Sequence, residues 1–256
     1  GLALLLQAKE VFGNEAKVLI MSATLDARPL VALLEAPVVE CESRMYPVET
    51  VYLEKPVEGR LEFAIARKIE RIMRQDEGDI LVFLPGVGEI TRLQELLAEA
   101  GVDGEVHPLH GTLPFDRQDQ ALLPSPTGRR KIILSTSIAE TGLTVEGVRI
   151  VVDSGLARVS RFSPRTGMTR LETVRVSKAS ADQRRGRAGR VTSGICYRMW
   201  TEAEQERLPA EFVPEIAEVD LAPLALDLAE WGARPEELAW LTPPPAASYR
   251  QAVELL

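Results

Sequence analysis

The feature that most constrains the fold is a series of short, apolar, β-branched runs separated by segments with helical periodicity. These strand-like runs are Lys17–Met21, Asp79–Leu84, Glu105–His110, Lys131–Ser135, Val148–Asp153 and Gly194–Trp200. In the helical segment 61–75, apolar residues recur largely on one side, at Phe63, Ile65, Ile69 and Ile72. Near-continuous apolar strands that alternate with helices are typical of a parallel sheet with helices on both faces. We therefore predict an α/β fold of this kind.

In parallel sheets of this class, ligands bind outside the carboxyl ends of the strands. Three of the predicted strands are followed by segments rich in hydroxyl groups or glycine: "SATLD" after Met21, "PGVGEI" after Leu84 and "STSIAETGLTVEGV" after Leu134. We expect the functional residues of the chain to lie in these segments.

Two regions depart from the alternating pattern. The segment 158–176, "RVSRFSPRTGMTRLETVRV", has strand residues on both sides of a turn-like Pro and Gly, which predicts an inserted β-hairpin. From about Pro209 the chain becomes Pro-rich, acidic and helical, which predicts a short helical C-terminal tail.

Positive charge is concentrated in one part of an otherwise acidic chain. The whole sequence carries a formal charge of −8, whereas residues 158–190 contain ten basic and only two acidic residues. The stretch "QRRGRAGR", residues 183–190, has four arginines and no acid. Such a local basic surface on an acidic body fits binding of phosphate groups at one place. The alternative is a basic helix face that pairs with acidic neighbours in the fold.

Other classes of site and location find little support in the sequence. No apolar run approaches the roughly 18 residues of a membrane span, and the apolar start "GLALLLQAKEVFG" is predicted to be a helix on a core, not a signal peptide. Cys41 and Cys196 have no metal-like spacing and are interpreted as buried thiols of a cytoplasmic protein. His107 and His110 lack a carboxylate or Cys cluster, so we predict no metal site.

Five of these segments, taken in order, resemble motifs of the DEAH-box class of superfamily 2 helicases, most closely its bacterial HrpB-type members. "SATLD" resembles motif III, "ILVFLPGVGEI" motif IV with its hook-like turn, and "PLHGTLPFDRQDQALL" the segment IVa. "STSIAETGLTVEGV" resembles motif V and "QRRGRAGR" motif VI, with Gln183 where the DEAD-box class would have His. The phosphate-binding loop and the "DEAH" motif, which precede motif III in the family, are not in this sequence.

The resemblance implies a RecA-like fold and a division into three parts. Residues 1–46 would be the C-terminal end of a first RecA-like domain, 47–208 a second RecA-like domain, and 209–256 the start of a winged-helix or helical accessory domain. The sequence would then be a fragment of an ATP-dependent 3′-to-5′ RNA helicase, and this fragment alone would be inactive.

The resemblance also assigns site residues on the ATP side. The catalytic group would be Gln183 with the arginine fingers Arg187 and Arg190, and the nucleotide-binding residues would be Gly142, Glu146, Gly186 and Gly189. The cofactors would be ATP and Mg²⁺, with the Mg²⁺ ligands mainly in the first domain. Family members often carry an aromatic residue that stacks on adenine, and this sequence has Leu122 or Leu123 there.

On the nucleic-acid side, the resemblance implies contacts to the RNA backbone by Gly86, Thr112, Thr136 and Thr144. Ser22 and Thr24 would couple the two domains, and Arg161, Arg165 and Arg170 on the hairpin would take part in strand separation. The expected partner is single-stranded RNA. Two alternatives stay open: a superfamily 2 motor that acts on DNA, and a non-catalytic nucleic-acid-binding module with a helicase fold. For motif V, an ordinary capping loop with Ser135 or Thr136 as N-cap is a further alternative.

Overall fold

The computed structural model describes residues 1–13, 16–21, 27–40, 46–141, 143, 145–163, 166–211 and 213–256. Its central element is a six-stranded sheet in which all paired strands are parallel. The strands, in chain order, are β1 (Val48–Leu53), β2 (Asp79–Phe83), β3 (Glu105–Leu109), β4 (Lys131–Ser135), β5 (Val148–Asp153) and β8 (Gly194–Thr201). Their order across the sheet is β1-β8-β5-β2-β4-β3, so β5 and β2 lie at the centre. The predicted parallel sheet is confirmed.

Helices cover both faces of this sheet, as predicted. They are α3 (Leu61–Gln75), α4 (Val87–Glu99), α5 (Phe115–Leu122) and α6 (Lys178–Gly186). On β2, Ile80 and Val82 pack in the core beneath α3 and α4, whereas Leu81 and Phe83 pack in a second core with residues of α5. Successive residues of a strand point to opposite faces, so the unbroken apolar run of β2 is what a two-sided core requires.

The remaining elements of the chain are shorter. They are the helices α1 (Leu2–Phe12), α2 (Ala27–Leu34), α7 (Glu202–Glu206), α8 (Ala222–Trp231) and α9 (Ala246–Leu255), and the hairpin strands β6 (Leu156–Ser163) and β7 (Met168–Arg175). The predicted hairpin and the helical tail are therefore confirmed. No helix among the described residues is long and apolar enough to cross a membrane.

The chain divides into two compact units. One contains residues 43–159 and 173–212, and therefore the whole six-stranded sheet. The other contains residues 1–42, 160–172 and 213–256, and it has its own small cores, in which Ala3 lies with Leu228 and Leu238. A buried thiol, Cys196, lies in the first unit, and burial raises its pKa to about 12. Cys41 lies outside the described residues.

Two local predictions are wrong, and one strand was not predicted. Lys17–Met21 is not a strand, because an apolar run becomes a strand only beside a partner and no described strand pairs with it. Phe63 is 49% exposed, because it lies two residues from the buried Ile65 and so on another side of α3. The sequence analysis also missed β1, whose residues are mostly half-buried and include Glu49 and Thr50.

Candidate functional site

Three loops at the carboxyl edge of the sheet carry the described residues that were predicted to contact RNA. Gly86 follows β2, Thr112 follows β3 and Thr136 follows β4. The β3 and β4 loops are joined by a hydrogen bond in which the Thr136 amide donates to the Leu109 carbonyl at 3.2 Å. Since β2 and β3 both pair with β4, the three residues lie along one edge.

The hydroxyl groups on this edge have different environments. Thr136 occupies the N-cap position of the 3₁₀ turn Ser137–Ala139, but its side chain makes no capping hydrogen bond. The Thr112 hydroxyl and His110 Nδ1 lie 2.9 Å apart and share a hydrogen bond. Burial lowers the pKa of His110, which favours the neutral ring. The hydroxyl of Thr136 is therefore not committed to a helix cap, whereas that of Thr112 has a partner within the fold.

Motif VI is α6 together with the 3₁₀ turn Arg187–Gly189, and its first arginine lies in the core. Arg184 is fully buried and donates to Glu140 Oε1 from Nε at 2.7 Å and to Asp153 Oδ1 from Nη1 at 2.8 Å. Ser180 donates to the second oxygen of Glu140 at 3.0 Å. This cluster binds the motif VI helix to the motif V loop and to the end of β5. For Arg184, the structure therefore agrees with the alternative that the basic helix face pairs with acidic neighbours in the fold.

Arg187 makes a second connection between the same two motifs. Its side chain is buried, with 6% of its surface exposed, and it donates to the carbonyls of Leu143, at 2.5 Å, and Glu140. Both acceptors are neutral. Burial and the neighbouring charge of Arg190 lower the pKa of Arg187 to about 10. Arg187 is thus a buried arginine that lies near the second positive charge of Arg190.

The other members of motif VI differ in exposure. Arg190 is exposed and Gln183 is half-buried. Gly186 is the last residue of α6. A side chain on Gly189 would begin 2.6 Å from the Tyr46 carbonyl oxygen, so this glycine permits the backbone segment before β1 to approach. The close approach found at Gly189 is thus between two parts of the chain itself.

The motif V loop begins at the carboxyl edge and ends at the opposite, amino edge. Glu146 is exposed just before β5, and its amide donates to the Leu122 carbonyl at 3.4 Å. Leu122 is the last residue of α5, and Leu123, which follows it, is 59% exposed. Predictions for Ser22, Thr24, Gly142, Thr144 and Arg165 fall outside the described residues.

Arg161 and Arg170 of the hairpin lie on the surface. Arg161 forms ion pairs with Glu172 at 2.9 Å and with Glu218 at 2.7 Å, and hydrogen bonding to Glu218 raises its pKa. The Phe162 amide also donates to the Glu218 carbonyl at 2.8 Å. Arg170 is exposed. Arg161 is therefore committed to two carboxylates and attaches the hairpin to the segment around Glu218.

The acids that pair with Arg184 were not predicted from the sequence. Asp153 is fully buried at the end of β5, and a charged residue directly after an apolar run could have signalled a buried ion pair. Within the part of the chain that the structure describes, no three His, Cys, Asp or Glu side chains form a group that could hold a metal ion.

Comparisons with known proteins place these features in context. The family model described as "Helicase conserved C-terminal domain" matches residues 64–192. The chain is 48% identical over its full length to the ATP-dependent RNA helicase HrpB of Escherichia coli (strain K12). It is 36% identical over 255 residues, 93% of the chain, to the probable ATP-dependent RNA helicase DHX34 of Mus musculus.

Similarity to a solved structure is equally extensive. The crystal structure of the Escherichia coli DEAH/RHA helicase HrpB superposes with a TM-score of 0.94 over the whole chain, again at 48% identity. The chain spans 33% of that structure, 32% of the HrpB sequence and 22% of DHX34. It therefore corresponds to about a third or less of these relatives.

Proposed function

The chain belongs to the family of the helicase conserved C-terminal domain, and from this membership we propose that it works within an ATP-dependent RNA helicase of the DEAH/RHA type that moves 3′ to 5′. In this proposal, residues 47–208 are the second RecA-like domain, 1–46 complete a first one, and 209–256 begin an accessory domain. The phosphate-binding loop, the DEAH motif and the Mg²⁺ ligands would come from sequence outside these 256 residues.

The observation that carries the ATP-binding part of the proposal is the pair Arg187 and Arg190. Burial is the main cause of the lowered pKa of Arg187, and the nearby positive charge of Arg190 adds to it, so both disfavour the charged form of Arg187. A triphosphate would relieve this repulsion, because it brings several negative charges to the same place. The planar guanidinium of arginine also matches phosphate oxygens with paired hydrogen bonds. The residues present therefore fit ATP.

We assign the two arginines different tasks. Arg190 is exposed and is the arginine finger that stabilises the charge developing on the transferred phosphoryl group, an effect that contributes about 10³ to 10⁵ in rate in other NTPases. Arg187 contributes charge and also holds the motif V loop by its bonds to Glu140 and Leu143. Gln183 lies on α6, which ends just before these arginines, and would orient the attacking water.

RNA would bind along the carboxyl edge, through Gly86, Thr112 and Thr136. Contacts of hydroxyl groups and backbone amides to phosphates position a strand without reading its sequence, so binding should tolerate many sequences. The basic hairpin would meet the strands at a fork and help to separate them.

The motif V loop supplies a physical connection between the two ligands. Thr136 begins the loop at the RNA edge, and Glu140 and Leu143 within it accept hydrogen bonds from Arg187. A shift of the loop on RNA binding would therefore move Arg187. Coupling of this kind travels through contiguous bonded groups that have two arrangements.

The test compares the full-length protein that carries this sequence with the 256-residue chain. We expect RNA-stimulated ATP hydrolysis from the full-length protein and none from the chain, because positioning and electrostatics from both domains supply nearly all the catalysis of phosphoryl transfer. A full-length protein that does not hydrolyse ATP in the presence of RNA would overturn the proposed function. Hydrolysis by the chain alone would overturn the proposal that part of the ATP site comes from sequence outside these 256 residues.

A further inference from the structure

One basic side chain at the carboxyl edge has no role in the proposal so far. Arg158 lies on β6, five residues after the end of β5, and its side chain is 37% exposed. Its guanidinium covers Gly86: a Cβ atom on that glycine would lie 2.5 Å from Arg158 Nη1 and 2.9 Å from Cζ. Gly86 itself is buried. A strand that approaches the turn after β2 therefore meets Arg158 before it meets Gly86.

The present partner of Arg158 holds it weakly. Arg158 Nη2 lies 3.5 Å from Glu89 Oε1, whereas Arg92 Nη2 lies 2.7 Å from the same oxygen. Arg92 also donates to Glu62 at 2.8 Å. Exposed ion pairs stabilise proteins little, and a distance of 3.5 Å is at the limit of a hydrogen bond. Glu89 would keep Arg92 as its partner if Arg158 turned away.

We propose that Arg158 binds RNA by contacting a backbone phosphate at the turn after β2. On binding, its guanidinium leaves Glu89 and forms paired hydrogen bonds with the phosphate oxygens. Because Gly86 has no side chain, the guanidinium of Arg158 has room above the turn. This inference rests on the proposed function. It replaces the direct contact between RNA and Gly86 by a contact between RNA and Arg158, which covers that glycine.

The experiment measures binding of a fluorescein-labelled 12-nucleotide oligouridylate to the full-length protein by anisotropy, without nucleotide, over a range of salt concentrations. For the Arg158→Gln variant we expect about tenfold weaker binding at low salt, the loss of one charged hydrogen-bonded contact. The slope of log affinity against log salt should fall in magnitude by about 0.7, the value for one phosphate contact on a single strand. Arg158→Lys should keep the slope because it keeps the charge.

Two matched variants separate this role from that of the surrounding ion pairs. Arg92→Gln removes the other partner of Glu89 and should leave the salt slope unchanged. Glu89→Gln releases Arg158 and should bind RNA at least as tightly as the parent. An Arg158→Gln variant that melts like the parent and keeps the parental slope would overturn the inference and leave the proposed function intact. A parent protein without salt-dependent RNA binding would overturn both.

Discussion

Motif VI and the hairpin are both rich in arginine, but the arginines of the two regions have different partners. In motif VI, Arg184 and Arg187 are buried and bind Glu140, Asp153 and backbone carbonyls of the motif V loop. In the hairpin, Arg161 is exposed and pairs with two surface carboxylates. The first region is buried within the unit that contains the sheet, whereas the second forms surface ion pairs within the other unit.

The difference shows that local positive charge in a sequence does not identify its ligand. Within "QRRGRAGR", one arginine neutralises buried acids, a second holds a loop and a third is exposed. Removing one member of a buried ion pair costs about 3–5 kcal/mol, whereas an exposed pair contributes about 0–1 kcal/mol. Burial therefore separates the arginines held in the core from those at the surface, and the following variants test that division.

The largest effect should come from Arg190→Ala in the full-length protein. If Arg190 stabilises transition-state charge, its loss should lower kcat for RNA-stimulated ATP hydrolysis by about 10³-fold or more. RNA affinity should be almost unchanged, because the partner of Arg190 is the nucleotide. Steady-state ATPase assays and RNA-binding titrations check the two parts.

Arg187→Ala tests whether the second arginine affects both catalysis and stability. It should lower kcat as well, but it should also lower the free energy of unfolding by about 1.5–3 kcal/mol, since it removes charged hydrogen bonds to two carbonyls. Arg190 is exposed, so its variant should stay within about 0.5 kcal/mol of the parent. Normal turnover with weak RNA binding in either variant would show that the arginine serves the strand and not the nucleotide.

Arg184→Met should give the largest effect on stability. The change leaves the fully buried Asp153 without its cation, so we expect the free energy of unfolding to fall by about 3–5 kcal/mol. Chemical denaturation of the 256-residue chain measures this.

The matched control is the adjacent Arg185→Met. Arg185 is half-buried and lies 3.7 Å from Asp182, so its loss should cost less than about 1 kcal/mol. Equal losses for the two variants would mean that the buried cluster contributes no more than a surface pair.

The central strands were predictable because burial on both faces leaves a strong mark in the sequence. β2, β4 and β5 have unbroken apolar runs of three or four residues, and Pro164 and Gly167 mark the turn of the hairpin in the sequence. β1 is mostly half-buried, carries the polar residues Glu49 and Thr50, and was not predicted, although β3 at the other edge of the sheet was.

Side-chain roles were less predictable than strands, because they depend on distant partners. Glu140 and Asp153 lie 44 and 31 residues before Arg184 in the chain. Likewise, the requirement for glycine at 189 comes from Tyr46, which only the pairing of β1 with β8 brings close. Motif spacing indicated where the site lies. It could not show which arginine binds acids, which binds backbone carbonyls and which contacts a ligand.

The smallest effect should come from Arg161→Gln in the hairpin. Arg161 is exposed, so its two ion pairs are screened by solvent and we expect only a small fall in the free energy of unfolding. The loss should shrink further in 1 M salt, where the screening length is about 3 Å. Arg170→Gln is the matched control, since Arg170 is also exposed on the hairpin and no ion pair to a described residue is found for it. A loss at Arg161 that approaches that of Arg184, and that salt does not reduce, would mean that the attachment of the hairpin to Glu218 is as structural as the buried cluster. The contrast between the two regions would then not hold.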